Sequence, residues 1–189
     1  MENNKRLSFQ FTVADRLFRS RILMINGEIT QELVGNISSQ LLALASISND
    51  PITLFIHSQG GHVESGDSIH DIIRFIDAKV RIVGNGWVAS AGALIYVSVP
   101  QKDRYCLPNT RFLLHQPAGG VRGSGSDIAI EAEEIVKMRR RLNEIFANGT
   151  GQPLDKIERD TQRNFWLTAT EAKDYGLVGT IIEKISDIK

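Results

Sequence analysis

Short β-type runs alternate with helical patterns along most of the chain, and this alternation restricts the possible folds more than any other feature. "RILMING" (Arg21–Gly27) is a β-type run closed by Asn-Gly, a pair that signals a turn. Leu33, Ile37, Leu41 and Leu44 then fall three and four residues apart, the period of one helix face. "PITLFIHS" begins on a proline, which a strand tolerates as its first residue. The glycine pair of "QGGHVESGDSIHDIIRFID" leads into another helix, with Val63, Ile69, Ile72, Ile73 and Ile76 as its apolar stripe. "VRIVGNG" and "TRFLLHQP" read as a third and a fourth strand. Strands separated by helices predict an α/β domain with a largely parallel sheet. No fixed-period repeat, low-complexity tract or linker breaks the pattern, so residues 1–189 are read as one domain.

Bulk properties narrow the function. A chain of 189 residues can bury a sizeable core without disulfides or metals. Lys plus Arg equals Asp plus Glu at 22 each, whereas a nucleic-acid grip would normally be basic, so no nucleic-acid partner is expected. The single cysteine, Cys106, excludes an internal disulfide and a Cys-based zinc site, and reads as a packed thiol on a strand. No metal and no cofactor is expected. "MENNKRLSFQFTV" lacks the apolar core of a signal peptide, and no apolar run approaches the length of a membrane span. The expectation is a soluble, cytoplasmic protein without a membrane partner.

The longest helix is predicted over about 126–148, with Ser126 as N-cap and glycine of "NGTG" at its end. Ile128, Ile135 and Leu142 repeat at seven, with Met138 and Ile145 interleaved. Glu131, Glu133 and Glu134 precede Lys137, Arg139, Arg140 and Arg141, an order that complements the helix dipole. The basic cluster reads as a solvated face rather than a nucleic-acid patch. A seven-residue seam on so long a helix can also dock another subunit.

The chemistry centres on Ser90 in "GNGWVASAGALIYV". A serine in an apolar helix is usually filler bonded back to the preceding turn. As a nucleophile it needs an adjacent base and donors for the oxyanion. Histidine is the usual base, and four are present: His57 and His62 flank the glycine pair, His70 follows on the next helix, and His115 ends "TRFLLHQP". Gly60-Gly61 lets the backbone approach a ligand closely and turn an N–H toward it.

"IHSQGGHVESG", "GNGWVASAGALI", "LPNTRFLLHQPAGG" and "GQPLDKIERDTQRNFWLTATEAKDYGLV" occur in this order. Together they resemble the ClpP family of caseinolytic serine peptidases over roughly residues 20–185. The resemblance implies a crotonase-like α/β fold of repeated β-β-α-type units, with the long helix as a handle and residues 1–19 as an N-terminal segment. It implies seven-membered rings, usually two stacked into a tetradecamer, and protein degradation with an AAA+ unfoldase such as ClpX or ClpC that feeds unfolded polypeptides. It implies Ser90 as nucleophile, His115 as general base, and the N–H groups of Gly61 and Ala91 as the oxyanion hole. A glycine-rich strand with Gly119, Gly120, Val121 and Gly123 would pair with the substrate. A crotonase handling acyl-CoA would use a similar pair of N–H donors, but Ser90 and His115 together point away from it.

The chain also departs from the pattern. Asn164 stands where the resemblance implies the triad aspartate. Asparagine can fix the histidine tautomer but has no charge to stabilise the imidazolium; in an unrelated serine protease that change costs about 10⁴-fold in turnover. Asp160, one helical turn earlier, is a weaker candidate for the role. Gln162-Arg163 occupies an inter-ring position where many relatives pair an acidic residue with arginine. Thr53 stands where an aromatic often receives the unfoldase loop, with Phe55 retained on the same strand face, and the N-terminus is short. The combined expectation is a serine endopeptidase subunit with a weakened Ser90–His115–Asn164 triad, active mainly in a mixed complex with a paralogous ClpP ring. The alternative is a largely structural or regulatory ring subunit.

Overall fold

The chain, described here over residues 12–189 by a computed structural model, alternates strands and helices as the sequence predicts. In order come α1 (Val13–Arg19), β1 (Ile22–Ile29), α2 (Gln31–Ile47), β2 (Ile52–Gly61), α3 (Val63–Phe75), β3 (Val80–Ala89) and α4 (Ala91–Tyr96). Then follow β4 (Arg104–Cys106), β5 (Arg111–Leu114), α5 (Gly125–Thr150), α6 (Leu154–Asp160), β6 (Phe165–Thr168), α7 (Ala169–Asp174) and β7 (Thr180–Ile181). Residues 1–11 of the expected N-terminal segment lie outside the described residues.

One sheet joins all seven strands in the order β1-β2-β3-β4-β7, with β5 on β3 and β6 on β5. Every pairing is parallel except β5 with β6. Register sets the core. Leu23 pairs with Leu54, which pairs with Ile82, so one apolar row crosses three strands on the side that α2 and α3 cover. Burying each such leucine or isoleucine contributes about 1.5–3 kcal/mol. α2 meets the sheet through Ile37, Leu41 and Leu44, and α3 through Ile69 and Ile73.

β3 is the pivot. Its first half pairs with β4 up to Gly84–Cys106, and its second half pairs with β5 from Trp87–Arg111. Between these pairings the chain turns at Gly84, whose carbonyl accepts from Leu107 N–H and Thr110 Oγ1. This fork brings the carboxyl ends of β3 and β5 side by side. Cys106 lies on β4 as predicted, and burial raises its thiol to about 12, so it stays protonated and inert.

Four local predictions are corrected. Asn26-Gly27 does not end β1, because the strand absorbs it as a register shift against β2 and continues to Ile29. The long helix starts at Gly125 rather than Ser126. Ser124 Oγ accepts the Asp127 N–H while the Asp127 carboxylate accepts the Ser124 N–H, and that reciprocal cap fixes the start one turn before Ile128. It runs on to Thr150 and ends on Gly151 in the left-handed conformation. The glycine-rich segment 119–123 is not a strand: no neighbouring strand supplies a ladder, and Gly119, Gly120 and Gly123 are exposed loop. The basic cluster of α5 is also not simply solvated. Arg141 forms a bidentate pair with Asp67 of α3, both bonds 2.6 Å, and ties the long helix to the sheet-covering layer.

Candidate active site

The carboxyl ends of β2, β3 and β5 converge, the position where parallel α/β sheets hold ligands. β3 ends at Ala89 and α4 starts at Ala91, so Ser90 occupies the turn between them. Its φ is +54° and its ψ is −121°, a conformation costly for a residue with a Cβ, by about 1–3 kcal/mol. Three backbone bonds hold it there. Its N–H donates to Leu113 O on β5, and its carbonyl accepts from Ala93 and Leu94 N–H at the first turn of α4. The hydroxyl makes no capping bond, although it stands at the N-cap position. It is not bonded back to the preceding turn, as a filler serine in an apolar helix usually is.

β2 supplies the second part. Gly60 has φ +96° and Gly61 φ +149°. A Cβ on Gly60 would come within 2.6 Å of Ser90 Cβ and 3.1 Å of Ala91 N. The chain at Gly60 therefore touches the nucleophile turn directly, and only glycine permits this. The sequence reading took Gly60-Gly61 as a pair, with Gly61 as the donor that the resemblance implies; of the two, Gly60 makes the close contact with Ser90. A Cβ on Gly61 would instead strike the β1 backbone at Ile29. Buried Ser58 accepts the Gly60 N–H through its Oγ at 3.0 Å and steadies the turn.

β5 and β6 supply the rest. His115 follows the last residue of β5, half-buried, and desolvation lowers its pKa below the ordinary histidine value of 6.5. It is therefore neutral at pH 7 and able to accept a proton. The antiparallel register pairs Leu113 with Trp166 and Leu114 with Phe165. The ladder ends there: His115 directly follows β5 and Asn164 directly precedes β6, so both stand at the same end of the pair. Asn164 itself is exposed. The loop bearing it is pinned by the residue after His115: Gln116 N–H donates to Thr161 O at 2.7 Å, and Gln116 Nε2 to Gln162 O at 2.8 Å. Nothing in the sequence signalled Gln116.

Asp160 is engaged elsewhere. It accepts from Lys156 Nζ and from Tyr175 OH, both at 2.6 Å. Burial opposes its charge, but those two bonds outweigh burial and keep its pKa below the ordinary value. It makes no hydrogen bond or ion pair with His115. Gln162 and Arg163 are both exposed, and Thr53 and Phe55 share the half-buried sheet face away from α2. His62, the N-cap of α3, and His70, bonded to Asp71, serve their own helix, and His57 Nδ1 meets Asn85 O.

Ser90 and His115 line one cavity, closed by Val63, Leu94, Leu142 and Phe146. Its free volume is about 10 Å³, room for about one water. Larger cavities of about 530 and 540 Å³ lie at α1–α2 and at α3–α5 but contain no serine next to a histidine, so chemistry rather than size selects the site. Among the described residues no hydrogen bond joins Ser90 to His115 or His115 to Asn164, and no cluster of three His, Cys, Asp or Glu could hold a metal.

The family model for Clp protease matches residues 5–185. The chain belongs to the Clp protease family. It is 62% identical over 172 residues to ATP-dependent Clp protease proteolytic subunit 3 of Rhizobium meliloti, covering 91% of this chain and 88% of that protein. Proteolytic subunit 2 of Gluconobacter oxydans is 52% identical over 191 residues, covering 100% of this chain and 86% of its own length. Among solved structures, an asparagine-to-aspartate mutant of ClpP1 from Listeria monocytogenes superposes with a TM-score of 0.88 at 53% identity, over 94% of this chain and all of that one. ClpP1 itself from that organism gives 0.85 at 52%, with the same coverage. Family membership makes the chain a serine peptidase subunit with the ClpP fold, and implies ring assembly and association with Clp ATPases. Among the described residues no helix is long and apolar enough to cross a membrane.

Proposed function

We propose that this subunit hydrolyses peptide bonds of unfolded polypeptides, with Ser90 as nucleophile, His115 as general base and Asn164 as the third, weak member of the triad. The observation that carries the reading is the unbonded Ser90 hydroxyl on a positive-φ turn, in one cavity with a neutral His115. In the reaction Ser90 Oγ attacks the carbonyl carbon as its proton passes to His115. The oxyanion takes the N–H groups of Ala91 and Gly61. The Ala91 N–H begins α4, where no earlier turn claims it. His62 N–H bonds β1, so strand alternation turns the Gly61 N–H away from β1. The imidazolium then protonates the leaving amine, and water clears the acyl-enzyme by the same steps. Gly119, Gly120, Val121 and Gly123 have open edges that a substrate strand can pair with, becoming a strand on binding.

The same subunit works best in a mixed complex with a paralogous ClpP ring, in the cytoplasm, fed by an unfoldase such as ClpX or ClpC. Two observations support dependence on a partner: Asn164 brings no charge, and the Ser90–His115 bond is unmade in the single chain. The same two observations favour the second reading, a largely structural or regulatory ring subunit. A serine-reactive fluorophosphonate separates them. Labelling of Ser90 in the mixed complex supports the peptidase; an unlabelled Ser90 beside a labelled paralogue leaves the structural subunit.

Two further outcomes follow. His115 must be unprotonated to act, and burial lowers its pKa, so the acid limb of kcat/KM is expected below pH 6.5. Activity that already falls away above pH 6.5 would contradict the burial argument. Gln162→Glu is expected to shift sedimentation velocity toward the double ring by giving Arg163 a charged acceptor across it. Each exposed pair is weak, at most about 1 kcal/mol, but ring symmetry repeats it. No shift at matched concentration removes the inter-ring role.

A further inference from the structure

Three consecutive residues of α5 attach to three different parts of the molecule. Arg141 pairs with Asp67 of α3, Leu142 walls the Ser90–His115 cavity, and Asn143 meets Thr161. The last contact is fully internal, with Asn143 3% and Thr161 0% exposed. Thr161 Oγ1 lies 2.9 Å from Asn143 Oδ1 and 2.8 Å from Ile157 O. One hydroxyl proton cannot serve two acceptors. Both contacts are satisfied if the hydroxyl donates to Ile157 O and the Asn143 amide is turned to donate its N–H to Oγ1.

Thr161 then passes the connection on. Its carbonyl accepts the Gln116 N–H at 2.7 Å, and the Gln116 side chain bonds Gln162 O. Gln116 is the neighbour of His115, and Gln162 is two residues before Asn164. A continuous chain of hydrogen bonds therefore runs from the middle of α5 to the backbone on both sides of the His115–Asn164 pair. The amino-terminal half of α5 leaves Ile128, Ile130 and Val136 exposed. Beyond Leu142 the helix is anchored: Phe146 is buried, and Arg104 Nη2 bonds Gly149 O at 2.6 Å.

We propose that Asn143 is a positioning residue for the reaction, fixing His115 and Asn164 to α5 through Thr161 and Gln116. The catalytic backbone thus follows the direction of the long helix. The proposal rests on the peptidase reading only for its effect on turnover. Loss of the contact lets the 161–164 and 115–116 segments move together, and displacement of catalytic groups by about 1 Å costs up to roughly 100-fold in rate.

The test compares Thr161→Val, which removes only the hydroxyl, with Asn143→Ala and the double variant, in the assembled protein. Hydrogen–deuterium exchange is expected to rise in peptides covering both 111–118 and 161–168 in each single variant. The double variant should be no worse than the worse single one. Peptide turnover is expected to fall about 10- to 100-fold with KM nearly unchanged. Thr161→Val keeps the volume of the site, so it guards against a folding defect in Asn143→Ala. Unchanged exchange in 111–118 overturns the proposal whatever turnover does. Raised exchange in both segments, with a wild-type Ser90 that never takes a fluorophosphonate, upholds the positioning chain and overturns the peptidase reading instead.

Discussion

Ser90→Ala is expected to abolish peptide hydrolysis by this subunit while leaving fold and assembly unchanged. The reason is local. Ser90 Oγ has no capping bond, so its removal strands no buried partner, and the cost that normally follows deletion of a polar group is absent. The three backbone bonds that hold the turn, to Leu113 O and from Ala93 and Leu94 N–H, survive in alanine. The positive φ strains serine and alanine alike. Activity, by contrast, loses its only attacking atom, and in an unrelated serine protease the same loss costs on the order of 10⁶-fold. His115→Ala is expected to be equally inactive, since members of one proton-transfer unit fail together. The assay is peptide turnover by a preparation free of any paralogue, with the melting temperature measured beside it. Residual turnover in Ser90→Ala places the nucleophile elsewhere.

Much of this was legible before the structure. The period of Ile37, Leu41 and Leu44 encodes burial directly, and the helix and the strand read at "PITLFIHS" both stand where they were expected. The pairing of Ser90 with His115 was legible only through the resemblance, since 25 positions separate them and no periodicity links the two. What the sequence hid depends on contacts between distant segments. Asn26-Gly27 has the chemistry of a turn, yet pairing with β2 overrides that preference and leaves a register shift. β4 has three residues and β7 two, too few to show a period. The clamp of Arg141 on Asp67 joins helices 74 positions apart, and a charge run reads as solvated until its partner is known. Asp160 is held by Lys156 one turn earlier on α6, a partner legible from the i,i+4 spacing, and by Tyr175, which declares itself only once α6 and α7 are packed.

Asn164→Asp is expected to raise peptide turnover, and the register explains both the direction and the size. Asn164 directly precedes β6 and His115 directly follows β5, at the same end of the antiparallel pair, so a carboxylate at 164 is expected beside the imidazole. It would stabilise the imidazolium that forms as Ser90 attacks, a role that an amide cannot fill. Asn164 is exposed in the single chain, so water screens part of that charge. The gain is therefore expected at about 10- to 100-fold, short of the roughly 10⁴-fold penalty seen in a protease whose triad is buried. A second readout has its sign fixed by the same argument. Burial lowers the His115 pKa in the wild type, and an adjacent negative charge favours the protonated ring and raises it. The acid limb of kcat/KM should accordingly move to higher pH in Asn164→Asp. The variant belongs in whichever complex gives the best wild-type rate, because the Ser90–His115 bond is unmade in the isolated chain. If the limb moves but turnover does not rise, the carboxylate reaches His115 and charge is not what limits the serine. The deficit then lies in how the ring aligns Ser90 with His115, and Gln162 is the first residue to change.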